Sequence, residues 1–140
     1  MYRDFVCILG GFNMNDIELY LNQNKTKSCS EMIFSYIDDY FIKNNIDKDS
    51  CIYNKANMDR RIFSKFRYGN YNLSKNNILK LCIALELNLD EVNQVLESAG
   101  YSLSMNKDFD LILRYFISNK IFDFQKINEC LFTYTNMDLS

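Results

Sequence analysis

The chain has 140 residues, enough for one domain with a substantial hydrophobic core. Its net charge is −2 and 48% of its residues are hydrophobic, a balance that excludes a disordered chain. Proline is absent, glycine occurs four times, and the scarcity of both favours helices over a hairpin-rich β fold. We therefore predict an all-α protein.

The first segment, residues 1–27, is predicted to be an N-terminal extension. Its apolar run at residues 5–9 is too short for a signal peptide, and Asp4 lies beside it. Residues 16–21 are expected to form a short helix. Since no apolar run approaches the length of a membrane span, we expect a cytoplasmic protein without membrane contact.

A helix is predicted to begin after Ser28, which is typical of an N-cap and forms a capping box with Glu31. Its apolar side chains follow at helical spacing, at Ile33, Ile37, Tyr40 and Phe41. Asp38 and Asp39 fall off this stripe. With no histidine or second acidic cluster beside them, we interpret them as a solvent-exposed face rather than an acid–base pair.

Two helices joined by a tight turn are predicted next. The first covers residues 49–56, and Asn57 suits the left-handed position of the turn. Asp59 is a good N-cap for the second helix, which covers residues 59–69 and ends at Gly69-Asn70. Phe63 and Phe66 give this helix an apolar face, and its basic residues lie mainly on the other faces.

Positive charge is concentrated in this part of the chain. Residues 51–80 hold seven basic residues and one acidic residue, a net charge of +6, so the rest of the chain carries −8. Residues 81–140 alone hold four basic and nine acidic residues. This separation of charge indicates one face for a polyanion on an acidic body.

Four further helices are predicted from caps and apolar stripes. Their starts are Ser74, Asn88, Ser104 and Asp123. Their inward-facing residues are Ile78, Leu81, Cys82 and Leu85; Leu89, Val92, Val95, Leu96 and Ala99; Phe109, Ile112, Leu113, Phe116 and Ile117; and Ile127, Cys130, Leu131 and Tyr134. We predict a C-terminal helical extension, residues 105–140, packed on the same core.

Residues 48–100 resemble the Cro/C1-type (XRE-type) helix-turn-helix domain of bacterial and phage repressors. Three features carry the resemblance: the turn Ala56-Asn57-Met58-Asp59; the helix Phe63-Ser64-Lys65-Phe66 with Gly69; and Ile78-Leu79-Lys80-Leu81-Cys82-Ile83-Ala84-Leu85 followed by Leu89-Asp90-Glu91-Val92. The resemblance implies a five-helix repressor-like bundle over residues 28–104. Residues 53–65 and 99–104 also resemble a helical module found alone or beside macrodomains in low-G+C bacteria.

The resemblance implies that helix 59–69 reads the major groove of double-stranded DNA. The DNA-binding residues carried over are Arg60, Arg61, Ser64, Lys65, Arg67 and Lys75. The chain departs from the family at Asp49, where many relatives have a phosphate-binding Gln or Thr, and at Tyr53, where a small residue is usual. Asp49 is expected to repel a phosphate, and the Tyr53 ring is expected to require repacking or a tilted helix.

Two functional hypotheses follow. The first is a sequence-specific transcriptional regulator of bacterial or mobile-element origin, dimeric through residues 105–134. The alternative is a protein-interaction module on a repressor-like scaffold, such as an antitoxin or an inhibitor of a host defence nuclease, which binds a partner protein instead of DNA.

An enzyme is not expected, because the chain has no histidine, no Gly-rich phosphate loop and no nucleophile motif. Its five cysteines are Cys7, Cys29, Cys51, Cys82 and Cys130. Because they are widely spaced and form no C-x-x-C pair, we expect neither a metal site nor a cofactor, and we interpret them as reduced thiols.

Overall fold

The computed structural model describes residues 11–140, whose regular elements are eight α-helices. They are α1 Met14–Asn24, α2 Cys29–Asn44, α3 Asp49–Lys55, α4 Arg60–Tyr68, α5 Lys75–Ala84, α6 Leu89–Ser98, α7 Asp108–Ser118 and α8 Phe124–Thr135. The all-α prediction is confirmed for this part of the chain. The apolar run at residues 5–9 and Cys7 lie outside the described residues.

Five predicted helix caps are confirmed. In each case a side-chain oxygen of the cap residue accepts a hydrogen bond from a backbone N–H two or three residues later. The capping residues are Ser28, Asp59, Ser74, Asn88 and Asp123. Caps of this kind stabilise a helix by about 1 kcal/mol each, so they fix where these short helices begin.

The predicted start of the seventh helix at Ser104 is wrong. α7 begins at Asp108, and its N-cap residue, Lys107, makes no side-chain capping bond. Instead the backbone N–H of Ser104 donates a 2.7 Å hydrogen bond to Oδ2 of Asp110. Because Asp110 draws the backbone of Ser104 towards its carboxylate, the intervening residues form a loop and not the first turn of a helix.

The inward position predicted for Tyr134 is also wrong, since 71% of this residue is exposed. Ile127 and Leu131 of α8 are fully buried, and Thr135 continues the same face with partial burial. The stripe of α8 thus advances in steps of four residues. Tyr134 lies beside that stripe and points to solvent.

α5 is the central helix of the structure. Every residue from 78 to 84 is buried, including Lys80. α5 packs against α3 and α6, α6 packs against α2 and α7, and α7 packs against α8. Leu113 and Leu131 of the C-terminal helices belong to the same hydrophobic cluster as the residues of α2 to α6.

The helices of residues 11–140 are too short or too polar to cross a membrane. α3 and α4 meet the core through Ile52, Phe63 and Phe66, which are all buried. The opposite side of α4 faces solvent, and this placement defines the site described next.

Candidate functional site

The turn between α3 and α4 has four residues, 56–59. Asn57 has a left-handed backbone with φ of 52°, as its residue type predicts. Its two neighbours, Ala56 and Met58, are buried. The turn is therefore tied to the core on both sides of its one left-handed residue.

Lys80 of α5 binds this turn from the side of the core. Its ammonium donates a 3.1 Å hydrogen bond to the carbonyl oxygen of Asn57, and only 8% of the residue is exposed. Burial lowers the pKa of Lys80, and the charge of Asp138 acts in the opposite direction. By sequence, Lys80 belongs to the basic segment, residues 51–80. Its place inside the apolar run of residues 78–85 was the signal that it would be buried.

α4 has one buried face and one exposed face. Phe63 and Phe66 are almost fully buried. The rings of Tyr53 and Phe63 lie 5.6 Å apart and those of Phe34 and Phe66 5.0 Å apart, measured between centroids. The half-buried Tyr53 is thus accommodated by aromatic packing between α3 and α4.

The exposed face of α4 carries four of the six predicted DNA-binding residues. They are Arg60, Arg61, Ser64 and Lys65. Asp59 caps the start of the helix by accepting a 2.7 Å hydrogen bond from the backbone N–H of Arg61. The ammonium of Lys65 lies over the ring of Tyr71, 5.9 Å from its centroid.

Arg67, the fifth predicted residue, turns away from that face. Its Nε lies 2.9 Å from Oδ2 of Asp49, and about a quarter of each side chain is exposed. Its guanidinium also lies 5.2 Å from the ring centroid of Phe34. Asp49, which was expected to repel a phosphate, is therefore neutralised by Arg67 and links α3 to α4.

Lys75, the sixth predicted residue, is held by a buried carboxylate. Its ammonium donates to Oδ1 and Oδ2 of Asp110 at 3.0 and 2.8 Å. Only 2% of Asp110 is exposed, and it also accepts the N–H of Ser104. This ion pair connects the start of α5 to α7 across 35 residues of sequence.

Lys55 is the cation of the basic segment not yet described. Its ammonium lies 2.9 Å from the hydroxyl of Tyr40 and 3.4 Å from a carboxylate oxygen of Glu86. Four of the seven cations of residues 51–80 thus form hydrogen bonds or ion pairs with other groups of the chain. Arg60, Arg61 and Lys65 make no ion pair in the part of the chain that the structure describes. All three lie on α4.

A cleft of about 680 Å³ adjoins the end of α4. It lies between α4, the start of α2 and the end of α6, and its lining includes Arg67, Tyr68, Tyr71, Ser98 and Tyr101. The lining is mixed polar and aromatic. Among residues 11–140, the only cation in this lining is Arg67, which is already paired with Asp49.

The described cysteines are all free thiols. Cys82 is fully buried, and burial raises its pKa well above the ordinary thiol value, with smaller contributions from Cys29 and Glu91. Burial likewise raises the pKa of Cys29. Among residues 11–140, no three His, Cys, Asp or Glu side chains come close enough to hold a metal ion.

Comparison of the chain with protein families, with characterised proteins and with solved structures finds no match.

Proposed function

We propose that this protein is a sequence-specific DNA-binding regulator that reads the major groove with α4. The observation that carries the proposal is the distribution of unpaired cations. Three cations of the basic segment have no ion pair with any group of residues 11–140. They are Arg60, Arg61 and Lys65. All three lie on one exposed helix surface.

The geometry of α3, the turn and α4 supports a helix-turn-helix unit. The left-handed Asn57 sets the angle between the two helices, and Lys80 holds its carbonyl oxygen. Phe63 and Phe66 anchor α4 to the core, so that its polar side is presented as a rigid surface. We propose α2 to α6 as the repressor-like five-helix unit, with α7 and α8 as its C-terminal extension.

On this proposal, α4 enters the groove with its first two turns. Arg60 and Arg61 are suited to guanine, whose O6 and N7 accept two hydrogen bonds from one guanidinium. Ser64 and Lys65, one turn later, are suited to phosphate oxygens. Arg67 and Lys75 would have to leave Asp49 and Asp110 before they could bind DNA, so we assign them no part in the interface.

The proposal is tested by selecting binding sites from a randomised pool of duplexes with the full chain. A regulator enriches one sequence motif, and its affinity for that motif exceeds its affinity for random duplex by about 10³-fold or more. Failure to enrich any motif, with no binding to random duplex at low salt, would overturn the proposal.

A protein partner is the second candidate, and the small number of unpaired cations favours it. Three cations give about three phosphate contacts, fewer than the six to ten of a strongly salt-dependent DNA binder. The same three residues would also suit an acidic protein surface. This candidate, a non-catalytic interaction module, predicts an undetectable affinity for duplex DNA at low salt.

A further inference from the structure

α1 is a helix with no buried residue. It has eleven residues, Met14–Asn24, and its start is capped by Asn13, which accepts a 2.7 Å hydrogen bond from the N–H of Asn15. An isolated helix shorter than about 12 to 15 residues is marginal in water, because tertiary packing supplies most helical stability. A helix of this length without buried side chains is therefore not stabilised by core packing within residues 11–140.

The exposed side chains of α1 form an apolar stripe. Met14, Ile17 and Leu21 are 42%, 43% and 57% exposed and follow the spacing i, i+3, i+7, which places them on one face. Tyr20 flanks this stripe. Leu19, which is 56% exposed, lies on the opposite side of the helix. The stripe has the i, i+3, i+7 spacing of side chains that pack against another helix, although none of its residues is buried.

The exposed apolar area is large enough for a specific interface. Without Leu19, five large apolar residues of this region are each about half exposed, which amounts to roughly 400 Å² per chain; they are Phe12, Met14, Ile17, Tyr20 and Leu21. Apolar atoms make up about 60% of a protein interface, so this area corresponds to about 700 Å² on each partner. That is close to the size of a standard stable interface.

We propose that α1 pairs with α1 of a second copy of this chain about a twofold axis. An interface around a twofold axis uses the same surface on both copies, and a continuous apolar stripe is complementary to itself. A contact between α1 and a different surface of the second copy would instead build a ring or an open chain of copies. The proposal does not depend on DNA binding, because the pairing is measured without DNA.

The proposal differs from the sequence-based expectation of a dimer through residues 105–134. That segment also has exposed apolar side chains, among them Tyr115 and Phe132. They lie on α7 and α8, whose other faces are already packed into the core, and each helix is anchored by fully buried residues. α7 and α8 are therefore stabilised by packing within residues 11–140, whereas α1 has no buried residue.

Sedimentation of the full chain at about 50 µM tests the proposal, since an interface of this size supports a dissociation constant in the micromolar range or below. The chain is expected to sediment with twice its 16.6 kDa mass. Leu21→Glu, with a charge in the stripe of both copies, is expected to raise the dimer dissociation constant about 100-fold or more. Leu19→Glu, the matched change on the opposite side of the same helix, is expected to leave the dimer intact.

Three results would overturn the proposal. The first is a wild-type chain that stays monomeric at that concentration. The second is equal weakening of the dimer by Leu21→Glu and Leu19→Glu. The third is a dimer that survives Leu21→Glu and dissociates with Phe132→Glu, because this would place the interface on α8. Residues 19, 21 and 132 are exposed, so all three variants are expected to keep the circular dichroism and unfolding midpoint of the core.

Discussion

Lys80 and Asn57 are joined by a hydrogen bond from the ammonium to the carbonyl oxygen at 3.1 Å. One residue is in the middle of the most buried helix, and the other is the left-handed residue of an exposed turn. The bond sets the position of the turn relative to the core. Together with the buried Phe63 and Phe66, it holds α4, on which Arg60, Arg61 and Lys65 lie.

Lys80→Met is expected to remove a pH dependence of stability. Burial lowers the folded-state pKa of Lys80 below its ordinary value of 10.5, so between these two pKa values the unfolded chain binds more protons. The free energy of unfolding of the wild type therefore rises with pH towards 10.5 relative to the variant. Urea denaturation of both proteins at a series of pH values measures this difference. A difference that is constant with pH would contradict it.

Lys75→Met is expected to lower the free energy of unfolding by about 2–4 kcal/mol, because it leaves the buried carboxylate of Asp110 with only the N–H of Ser104. Lys65→Met is the matched control. Its side chain is exposed, and its removal is expected to change stability by about 0.5 kcal/mol or less. Equal stability of the two variants in urea denaturation would show that the ion pair is dispensable.

Cys82→Ala is expected to reduce the loss of stability at alkaline pH. The folded-state pKa of Cys82 is raised above the ordinary thiol value of 9.0, so above that pH the unfolded chain loses a proton that the folded chain keeps. Each such thiol lowers the free energy of unfolding by up to about 1.4 kcal/mol per pH unit. The difference between the wild type and the variant is expected to shrink or reverse as pH rises above 9.0. Parallel curves would exclude a buried, protonated thiol.

Arg61→Ala is expected to reduce the discrimination between the selected site and random duplex by about 10- to 100-fold, because a bidentate contact to a base contributes about 1–3 kcal/mol of selectivity. Lys75→Ala is expected to leave that ratio unchanged for the fraction that remains folded. Titration of both variants with both duplexes measures the ratio. If Lys75→Ala lowered the ratio more than Arg61→Ala, the assignment of the interface would be wrong.

Helix starts were predictable from the sequence because the groups that make a cap are neighbours in the chain. Ser28, Asp59 and Asn88 bond to backbone groups two or three residues away, and Asn57 adopts a left-handed backbone as its residue type allows. The failure at Ser104 has the opposite cause. Its partner is a carboxylate whose burial depends on the packing of α7.

The number of cations available to a partner was overestimated from the sequence, again because the groups that pair with them are distant in the chain. Lys75 meets Asp110 at a separation of 35 residues, and Lys80 meets Asn57 at a separation of 23. Such pairs depend on tertiary packing, so the local sequence can indicate that a charged residue is buried and cannot identify its partner. Asp110 does carry a signal, since it lies between the apolar residues of α7 and a buried carboxylate requires a cation or several donors. Residues 51–80 have a net charge of +6, but only three of their seven cations, within the described residues, are left without an ion pair or hydrogen bond.

The salt dependence of binding to duplex DNA tests the central claim, that Arg60, Arg61 and Lys65 form the DNA-binding surface. On random duplex, where Arg60 and Arg61 have no matching guanines and contact phosphates as Lys65 does, the claim predicts a slope of log Kobs against log salt of about −3 per bound protomer, from three phosphate neutralisations at 0.9 each. It predicts a slope close to zero for the triple variant Arg60→Gln, Arg61→Gln and Lys65→Gln, with unchanged stability. A triple variant that keeps the wild-type slope, or a wild-type protein that binds no duplex at low salt, would contradict it.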